Sequence, residues 1–409
     1  MVINTIDTKD ISVVVQGAID KEYTPLCLKS IRKYLPESEI ILSTWEGSEV
    51  DNLDYDVLGL SEDPKAKMNN TVLNLYNNCN RQLVSTQKGL EKANKKYALK
   101  LRTDALLINN SFLEYFDKFP SRNEKYKIFT NRVIVSSIYS REFSEETNLS
   151  MSFHPSDIYF FGLSEDIKDY FMKTKLLKDI ELAKYFFKYN NLIGYANNSW
   201  KMSPEQYLCS SWLKNKFSDI QFDDWTDFNC INYAKGINIL YNNFIFLDLK
   251  QSGIHNQKHI SVNENSNGIE GLITFDRFKQ RYEELCVNEK DYNYNIDEFS
   301  FLANNIIGYI ETRKNQIIEY INYKFIESNC YKFNIFDIIA NFIFSIEYSE
   351  RETTITIFGF KLHLLHYNKE RKGKERKGKE RKGKERKGKE RKGKEQPNKL
   401  YIFDLLLSS

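Results

Sequence analysis

The chain has 409 residues, of which 41% are hydrophobic and 28% are charged, a composition typical of a folded protein and not of a disordered one. Its six cysteines form no CxxC pair, which argues against a zinc site or a disulfide framework and favours a reducing compartment. The first residues show no secretion signal, and no apolar run approaches the roughly 18 residues that a membrane span needs. We therefore expect a cytoplasmic protein that can also rest on a membrane surface.

The formal net charge of +3 combines two opposite contributions. From Lys369 to Gly393 the unit KERKG repeats five times, and each unit carries three cations and one anion, so the repeat contributes +10 and the remaining chain −7. A charged tract with a regular Gly and no apolar residue predicts a solvated coil or a frayed helix, with binding to anionic lipid headgroups as the alternative. Nucleic acid is not an expected partner, because the remaining chain is acidic and shows no motif that reads DNA or RNA.

Strands and helices are predicted to alternate in the first part of the chain. The segment Ile11–Gly17 (ISVVVQG) is a β-branched apolar run that ends in Gly, as buried strands often do. Thr24 and Pro25 then suit the N-cap and first position of a helix that ends at Pro36. The next predicted elements are two strands, a helix and a fourth strand, at residues 39–47, 55–60, 78–93 and 96–108.

This alternation predicts a parallel sheet, in which ligands bind outside the carboxyl ends of the strands. Three polar stretches end the first, second and fourth strands: Gln16-Gly17, Trp45-Glu46 and Arg102-Thr103-Asp104. We therefore expect them to lie along one edge of the sheet and to form a ligand site there.

The second part of the chain adds further elements to the same sheet. Ser203 and Gln206 have the spacing of a capping box, with Pro204 at the first helical position. The other predicted elements are strands at 127–137, 156–163 and 237–249, a helix from Ser164, a mainly helical region at 274–348, and a late strand or hairpin at 353–365.

Asp104 needs a partner, because an ionised carboxylate at the end of a buried strand is costly to bury alone. A divalent cation is one candidate, and it would in turn bind a diphosphate and stabilise its departure. Arg102 is the other, since it projects to the same side of the strand and can pair with a phosphate or with Asp104 itself. The residues alone leave both alternatives open.

Four stretches in order along the chain resemble the WavE family of lipopolysaccharide-biosynthesis proteins: ISVVVQGAI, TPLCLKSIRKYLPESEIILSTWEGS, NRQLVSTQKGLEKANKKYALKLRTDALL and HPSDIYFFGL. The resemblance covers about residues 10 to 265, and that family is similar to glycosyltransferases of the GT-A fold. It implies an enzyme that uses a nucleotide-sugar donor to extend a lipopolysaccharide or lipooligosaccharide, in the cytoplasm or at the inner face of the inner membrane.

The fold implied by the resemblance is α/β, with a GT-A-like, Rossmann-type mixed sheet flanked by helices. We expect this catalytic domain at residues 1–265, followed by a mainly helical accessory region at 266–368, the basic repeat at 369–395 and a C-terminal tail at 396–409.

The resemblance also implies a donor site and a cofactor. The expected cofactor is Mn²⁺ or Mg²⁺ bound by Asp104, although Arg102 stands where the GT-A pattern has the first carboxylate of its DxD motif. His255 or His259 is a further candidate metal ligand, with a solvated loop as the alternative role. The residues expected to bind the donor are Gln16, Gly17, Trp45, Glu46, Asn80, Arg81, Arg102, Asp104 and Lys258.

Two carboxylates compete for the role of the base that removes the acceptor hydroxyl's proton. Asp157 precedes a predicted strand and could instead be a turn residue. Glu205 lies in the first turn of the helix that Ser203 caps, where an acid also complements the helix dipole. Asp157 is slightly favoured.

Two functions of different classes fit these features. The first is a glycosyltransferase acting on a surface glycan. The second is a non-catalytic protein that binds nucleotide or glycan within a polysaccharide assembly complex, which the incomplete DxD motif keeps open.

Overall fold

The protein is described here from a computed structural model, which describes residues 6–70, 75–143, 150–178, 202–220, 222, 227–228, 230–257, 271–290, 345–348, 352–357 and 360–365. The repeat tract lies outside these residues, as does most of the predicted helical region at 274–348. Within the described residues, every helix is too short or too polar to cross a membrane.

The core of the fold is a seven-stranded mixed sheet flanked by helices, which confirms the predicted α/β fold. All neighbouring strands are parallel except β11, which runs antiparallel to both of its neighbours. In spatial order the strands are β13 (Phe244–Leu247), β8 (Val133–Ser136), β11 (Phe160–Leu163), β6 (Tyr97–Arg102), β1 (Ile11–Gln16), β2 (Glu39–Trp45) and β3 (Val57–Ser61).

Helices and short strand pairs surround this sheet. The helices are α1 (Tyr23–Tyr34), α2 (Cys79–Lys92), α3 (Ser164–Phe171), α4 (Pro204–Lys214), α5 (Cys230–Asn243), α6 (Leu249–Ser252) and α7 (Phe275–Tyr282). Two-stranded pairs are β4 (Lys67–Asn70) with β5 (Leu75–Asn77), β7 (Ala105–Leu107) with β14 (Ile254–Asn256), and β9 (Arg141–Phe143) with β10 (Ser150–His154). A further sheet contains β12 (Asp227–Phe228), β17 (Phe360–Leu365), β16 (Glu352–Ile357) and β15 (Ser345–Tyr348), and its β16–β17 pair confirms the predicted late hairpin.

Helix α2 lies directly against β1 and β2 because a glycine faces the sheet. A Cβ at Gly89 would lie 2.2 Å from Val14 Cγ1 and 3.2 Å from Ser43 Cβ. Ser43 also donates a hydrogen bond of 2.7 Å to the carbonyl of Ser85 in α2. The close approach brings the first turn of α2 to the carboxyl ends of the strands.

Helix α7 is fixed to the same core through the buried carboxylate of Glu142. Arg277 donates to Glu142 Oε2 at 2.8 Å, and the Tyr241 hydroxyl donates to Oε1 at 2.6 Å. Burial raises the pKa of Glu142, but the hydrogen bonds and charge of Arg277, the charge of Arg281 and the hydrogen bond from Tyr241 together lower it by more, so the pKa is lowered overall. Phe278 of α7 is fully buried in the main hydrophobic core.

Helix α1 begins at Tyr23, so the prediction of Thr24 and Pro25 as its N-cap and first residue was wrong by two positions. The cause is the Asp20 carboxylate, which accepts from the backbone N–H groups of Glu22 and Tyr23, both at 3.0 Å. The Thr24 hydroxyl instead accepts from the backbone N–H of Asp20.

Two predicted strands were also wrong in part. Residues 96–108 do not form one strand, because a turn at Thr103–Asp104 separates β6 from β7 and β7 pairs with β14 instead. Of residues 237–249, only Phe244–Leu247 is a strand and the preceding residues belong to α5. Asparagine side chains near the end of α5 also bond to its backbone. The side-chain amides of Asn242 and Asn243 donate hydrogen bonds to the carbonyls four residues earlier.

Candidate functional site

A cavity of about 490 Å³ lies at the carboxyl ends of β1, β2 and β6, the edge at which the sequence predicted a ligand site. Eight of the predicted site residues line it: Gln16, Gly17, Trp45, Arg81, Arg102, Asp104, Asp157 and Glu205. The other lining residues are Ala18, Asn78, Cys79, Gln82, Ser85, Thr103, Tyr139, Ile158 and Pro204. One site is therefore formed by four parts of the fold: the sheet edge, the start of α2, the loop before β11 and the start of α4.

The floor of the cavity is fixed by hydrogen bonds between the ends of β1 and β6. Thr103 donates its backbone N–H to the carbonyl of Gln16 and its hydroxyl to the carbonyl of Ala18, at 3.1 and 2.7 Å. Gln16 Oε1 accepts from the Ser85 hydroxyl at 2.5 Å. Gly17 follows with φ +125°, a conformation that residues with a Cβ rarely adopt.

Arg102 and Asp104 form a bidentate ion pair at the cavity. Arg102 Nε donates to Asp104 Oδ1 and Nη2 donates to Oδ2, both at 2.8 Å. The side chain of Arg102 is 36% exposed and that of Asp104 is 5% exposed, so the guanidinium is the partner that a ligand meets. Of the two partners that the sequence allowed for Asp104, a divalent cation or Arg102, the structure shows Arg102. The pair that they form also lines the cavity.

A second bidentate pair lies at the start of α2. Arg81 donates through Nε and Nη2 to the two carboxylate oxygens of Asp63, at 2.8 and 2.6 Å. Arg81 lines the cavity and is again the more exposed partner, at 34% against 15%. The bond to Asp63 raises the pKa of Arg81, so this guanidinium stays charged.

Asp157 and Glu205 form the acidic part of the site. Burial raises the pKa of Glu205 to about 8, and the negative charge of Asp157 adds to this effect. The raised pKa favours the protonated form of Glu205 near neutral pH. Its position is fixed by the predicted capping box, which the structure confirms, with the Ser203 hydroxyl accepting from the backbone N–H of Gln206.

A sequence comparison identifies the family. The sequence model of the WavE lipopolysaccharide synthesis family matches residues 11–314, about three quarters of the chain and all of the predicted site residues. The chain belongs to this family. Among the curated proteins, no sequence matches it significantly.

Three predicted site residues of this WavE family member lie within the described part of the chain but do not line the cavity. Asn80 is buried, its amide exchanges hydrogen bonds with the backbone of Leu177 at 3.0 and 2.8 Å, and it does not line the cavity. Glu46 is exposed beyond Trp45 and does not line the cavity. His255 lies in β14, opposite Leu106 of β7.

The remaining two, Lys258 and His259, lie outside the described residues. Within the described ranges, no group of three or more His, Cys, Asp or Glu side chains has an arrangement that could hold a metal ion.

Lys100 is a functional candidate that the sequence reasoning missed. It is fully buried in β6, and its amine donates to the backbone carbonyl of Asp157, which also accepts from Gln82 Nε2 at 3.3 Å. Burial lowers the pKa of Lys100 to about 8. A lysine inside an otherwise apolar strand was the available signal, since a buried cation needs a specific acceptor.

His154 and Tyr139 also escaped the sequence reasoning. His154 Nδ1 lies 2.8 Å from the Tyr139 carbonyl, so this nitrogen carries the proton, and Nε2 accepts from the Ser203 hydroxyl at 3.0 Å. Burial lowers the pKa of His154 to about 3, so the imidazole is neutral. Tyr139 lines the cavity with φ +64°, a strained backbone that often marks functional sites.

Proposed function

We propose that the protein is a glycosyltransferase that moves a sugar from a nucleotide-sugar donor to a lipopolysaccharide or lipooligosaccharide acceptor. The observation that carries the proposal is that two guanidinium groups and two carboxyl groups, those of Asp157 and Glu205, line one cavity at the carboxyl ends of parallel strands. Membership of a lipopolysaccharide synthesis family supports the acceptor class.

The donor is proposed to lie over the ends of β1, β2 and β6. Arg102 and Arg81 suit a diphosphate, because a guanidinium donates several N–H groups in the plane that phosphate oxygens need. Trp45, at the end of β2, offers an indole on which a nucleobase can stack. Gln16 and Gly17 form the floor beneath the ribose and diphosphate.

Asp157 is proposed as the base. Its carboxylate accepts the proton of the acceptor hydroxyl while that oxygen bonds to the anomeric carbon, and the bond from this carbon to the diphosphate breaks with its electron pair going to the phosphate oxygen. Glu205 keeps its proton at neutral pH and donates a hydrogen bond to a sugar hydroxyl. A single displacement of this kind inverts the anomeric configuration.

The Mn²⁺ or Mg²⁺ that the GT-A resemblance implies fits the described residues poorly. Both oxygens of Asp104 already accept hydrogen bonds from Arg102 and its side chain is 5% exposed, and within the described residues no group of three or more His, Cys, Asp or Glu side chains is arranged to hold a metal ion. His255 lies on a strand outside the cavity lining. No step of the proposed mechanism is therefore routed through a metal ion.

The proposed place of the reaction is the cytoplasm or the cytoplasmic face of the inner membrane, where nucleotide sugars are made. The acceptor is then a glycolipid or its glycan. The KERKG tract is proposed to contact anionic lipid headgroups, because its charge suits them.

A donor screen tests the proposal. Purified protein is mixed with UDP-, GDP- and CMP-sugars and a lipooligosaccharide acceptor, and both thermal shift and release of the nucleoside phosphate are measured. We expect one donor class to bind and to be cleaved. Asp157→Asn should keep donor binding and lose roughly 100-fold or more in turnover.

The matched control is Asp276→Asn, because Asp276 is an exposed carboxylate on α7 that pairs with Lys279 at 2.7 Å and lies outside the cavity lining. It should turn over the donor like the wild type. A protein that binds donors but never cleaves them would instead be the non-catalytic binding protein, and full turnover by Asp157→Asn would remove Asp157 as the base.

A further inference from the structure

Two ion pairs at the cavity share one arrangement. In each, an arginine that lines the cavity forms a bidentate bond with a less exposed carboxylate, Arg102 with Asp104 and Arg81 with Asp63. The exposed fractions are 36% against 5% in the first pair and 34% against 15% in the second. Each carboxylate therefore orients a cation toward the cavity and is itself the less accessible group.

A metal ion at Asp104 would share a carboxylate whose two oxygens already accept hydrogen bonds from Arg102. The cation would weaken these two charge-assisted hydrogen bonds and would lie beside the guanidinium, which has a charge of the same sign. The Nη1 group of Arg102, with two N–H donors, takes no part in the bond to Asp104 and is suited to an anionic oxygen. The local chemistry thus favours an anion on the guanidinium over a cation on the carboxylate.

We propose that the donor diphosphate is bound without a divalent cation, by the guanidinium groups of Arg102 and Arg81, with Asp104 and Asp63 as the residues that position them. This inference rests on the proposed function. The two guanidinium groups together supply the same charge as one Mn²⁺ or Mg²⁺. When the bond from the anomeric carbon to the diphosphate breaks, the negative charge that collects on the leaving oxygen is balanced by these fixed cations.

Isothermal titration of UDP, GDP and CDP tests the inference, once in EDTA and once with MnCl₂. We expect the preferred nucleotide to bind in EDTA with a Kd within about threefold of that in MnCl₂. The double variant Arg102→Gln/Asp104→Asn replaces the ion pair by two amides of similar shape, and it should weaken binding in EDTA roughly tenfold or more. Arg81→Gln/Asp63→Asn should do the same.

The matched control is Arg32→Gln/Asp56→Asn. Arg32 is bidentate to Asp56 at 3.0 and 2.9 Å but lies outside the cavity lining, so this variant should bind like the wild type. Arg102→Lys provides a second test, since it keeps the charge beside the buried Asp104 and should lose less affinity than the double variant. Thermal unfolding of each variant shows that it is folded.

Three results would overturn the inference. Binding that occurs only with MnCl₂ would do so while leaving the proposed function intact. So would unchanged affinity in Arg102→Gln/Asp104→Asn and Arg81→Gln/Asp63→Asn. Absence of binding by all three nucleoside diphosphates in both buffers would also overturn the inference, and the proposed function would be overturned with it if the donor screen showed that no nucleotide sugar is cleaved.

Discussion

Burial and one neighbouring charge decide the protonation of Glu205. The position of this residue in the first turn of a helix could be predicted from Ser203 and Gln206, because a capping box is a local pattern. Its raised pKa could not, since Asp157 comes close only through the fold. Lys100 shows the same limit: the sequence places it in a strand, but only the structure shows that its amine holds the Asp157 loop.

The protonation of Glu205 predicts a pH-dependent stability difference. The pKa of Glu205 is about 8 in the folded protein, above its ordinary value of 4.5. As the pH rises between these two values, the unfolded state loses the proton while the folded state keeps it. Folding therefore becomes less favourable over this pH range. Glu205→Gln removes this penalty. The variant should gain roughly 2 °C or more in Tm over the wild type at about pH 8, and much less at about pH 4.

Glu165→Gln is the matched control for this measurement. Glu165 also lies in the first turn of a helix, α3, but its side chain is 88% exposed. Its Tm difference from the wild type should hardly change with pH. Equal Tm differences for Glu205→Gln at the two pH values would show that Glu205 ionises normally in the folded protein.

The order and type of most elements around the site followed from local patterns. Apolar runs predicted β1, β2 and β6, with β-branched residues in the first two, and the predicted helix from Ser164 was confirmed. The errors have physical causes. The run from Tyr97 continues apolar past Asp104, but the hydrogen bonds of Thr103 to the end of β1 turn the chain out of the sheet. The aromatic and β-branched residues of α5 suggested a strand, and tertiary packing overrides that weak preference.

Close packing of α2 on the sheet gives a test at Gly89. Gly89→Ala should lower the free energy of unfolding, because the added methyl group would lie 2.2 Å from Val14 Cγ1. Overpacking of this kind costs about 1–3 kcal/mol. This exceeds the gain in helix propensity from glycine to alanine, which is about 1 kcal/mol. Denaturant titration measures the difference. Gly59→Ala is the control, since its nearest contacts are at 3.4 and 3.5 Å, and it should change the free energy of unfolding by less than about 0.5 kcal/mol. Equal stability of the two variants would contradict the packing described for α2.

The topology of the whole sheet explains why residues far apart in the chain share one cavity. Strand β11 runs antiparallel to β6, with Phe160 opposite Lys100, so the chain that enters β11 passes beyond the carboxyl end of β6. This places Asp157 next to Arg102 and Asp104 at the cavity. The reversal could not be predicted from the alternation of strands and helices, which indicates parallel neighbours only.

The most direct test of the donor site is a crystal structure of the protein with the nucleoside diphosphate that the screen selects. The account predicts the diphosphate within hydrogen-bonding distance of Arg102 and Arg81, at the carboxyl ends of β1, β2 and β6, with Asp157 facing the side where the sugar would lie. A nucleotide bound elsewhere on the protein, with this cavity holding only water, would contradict it.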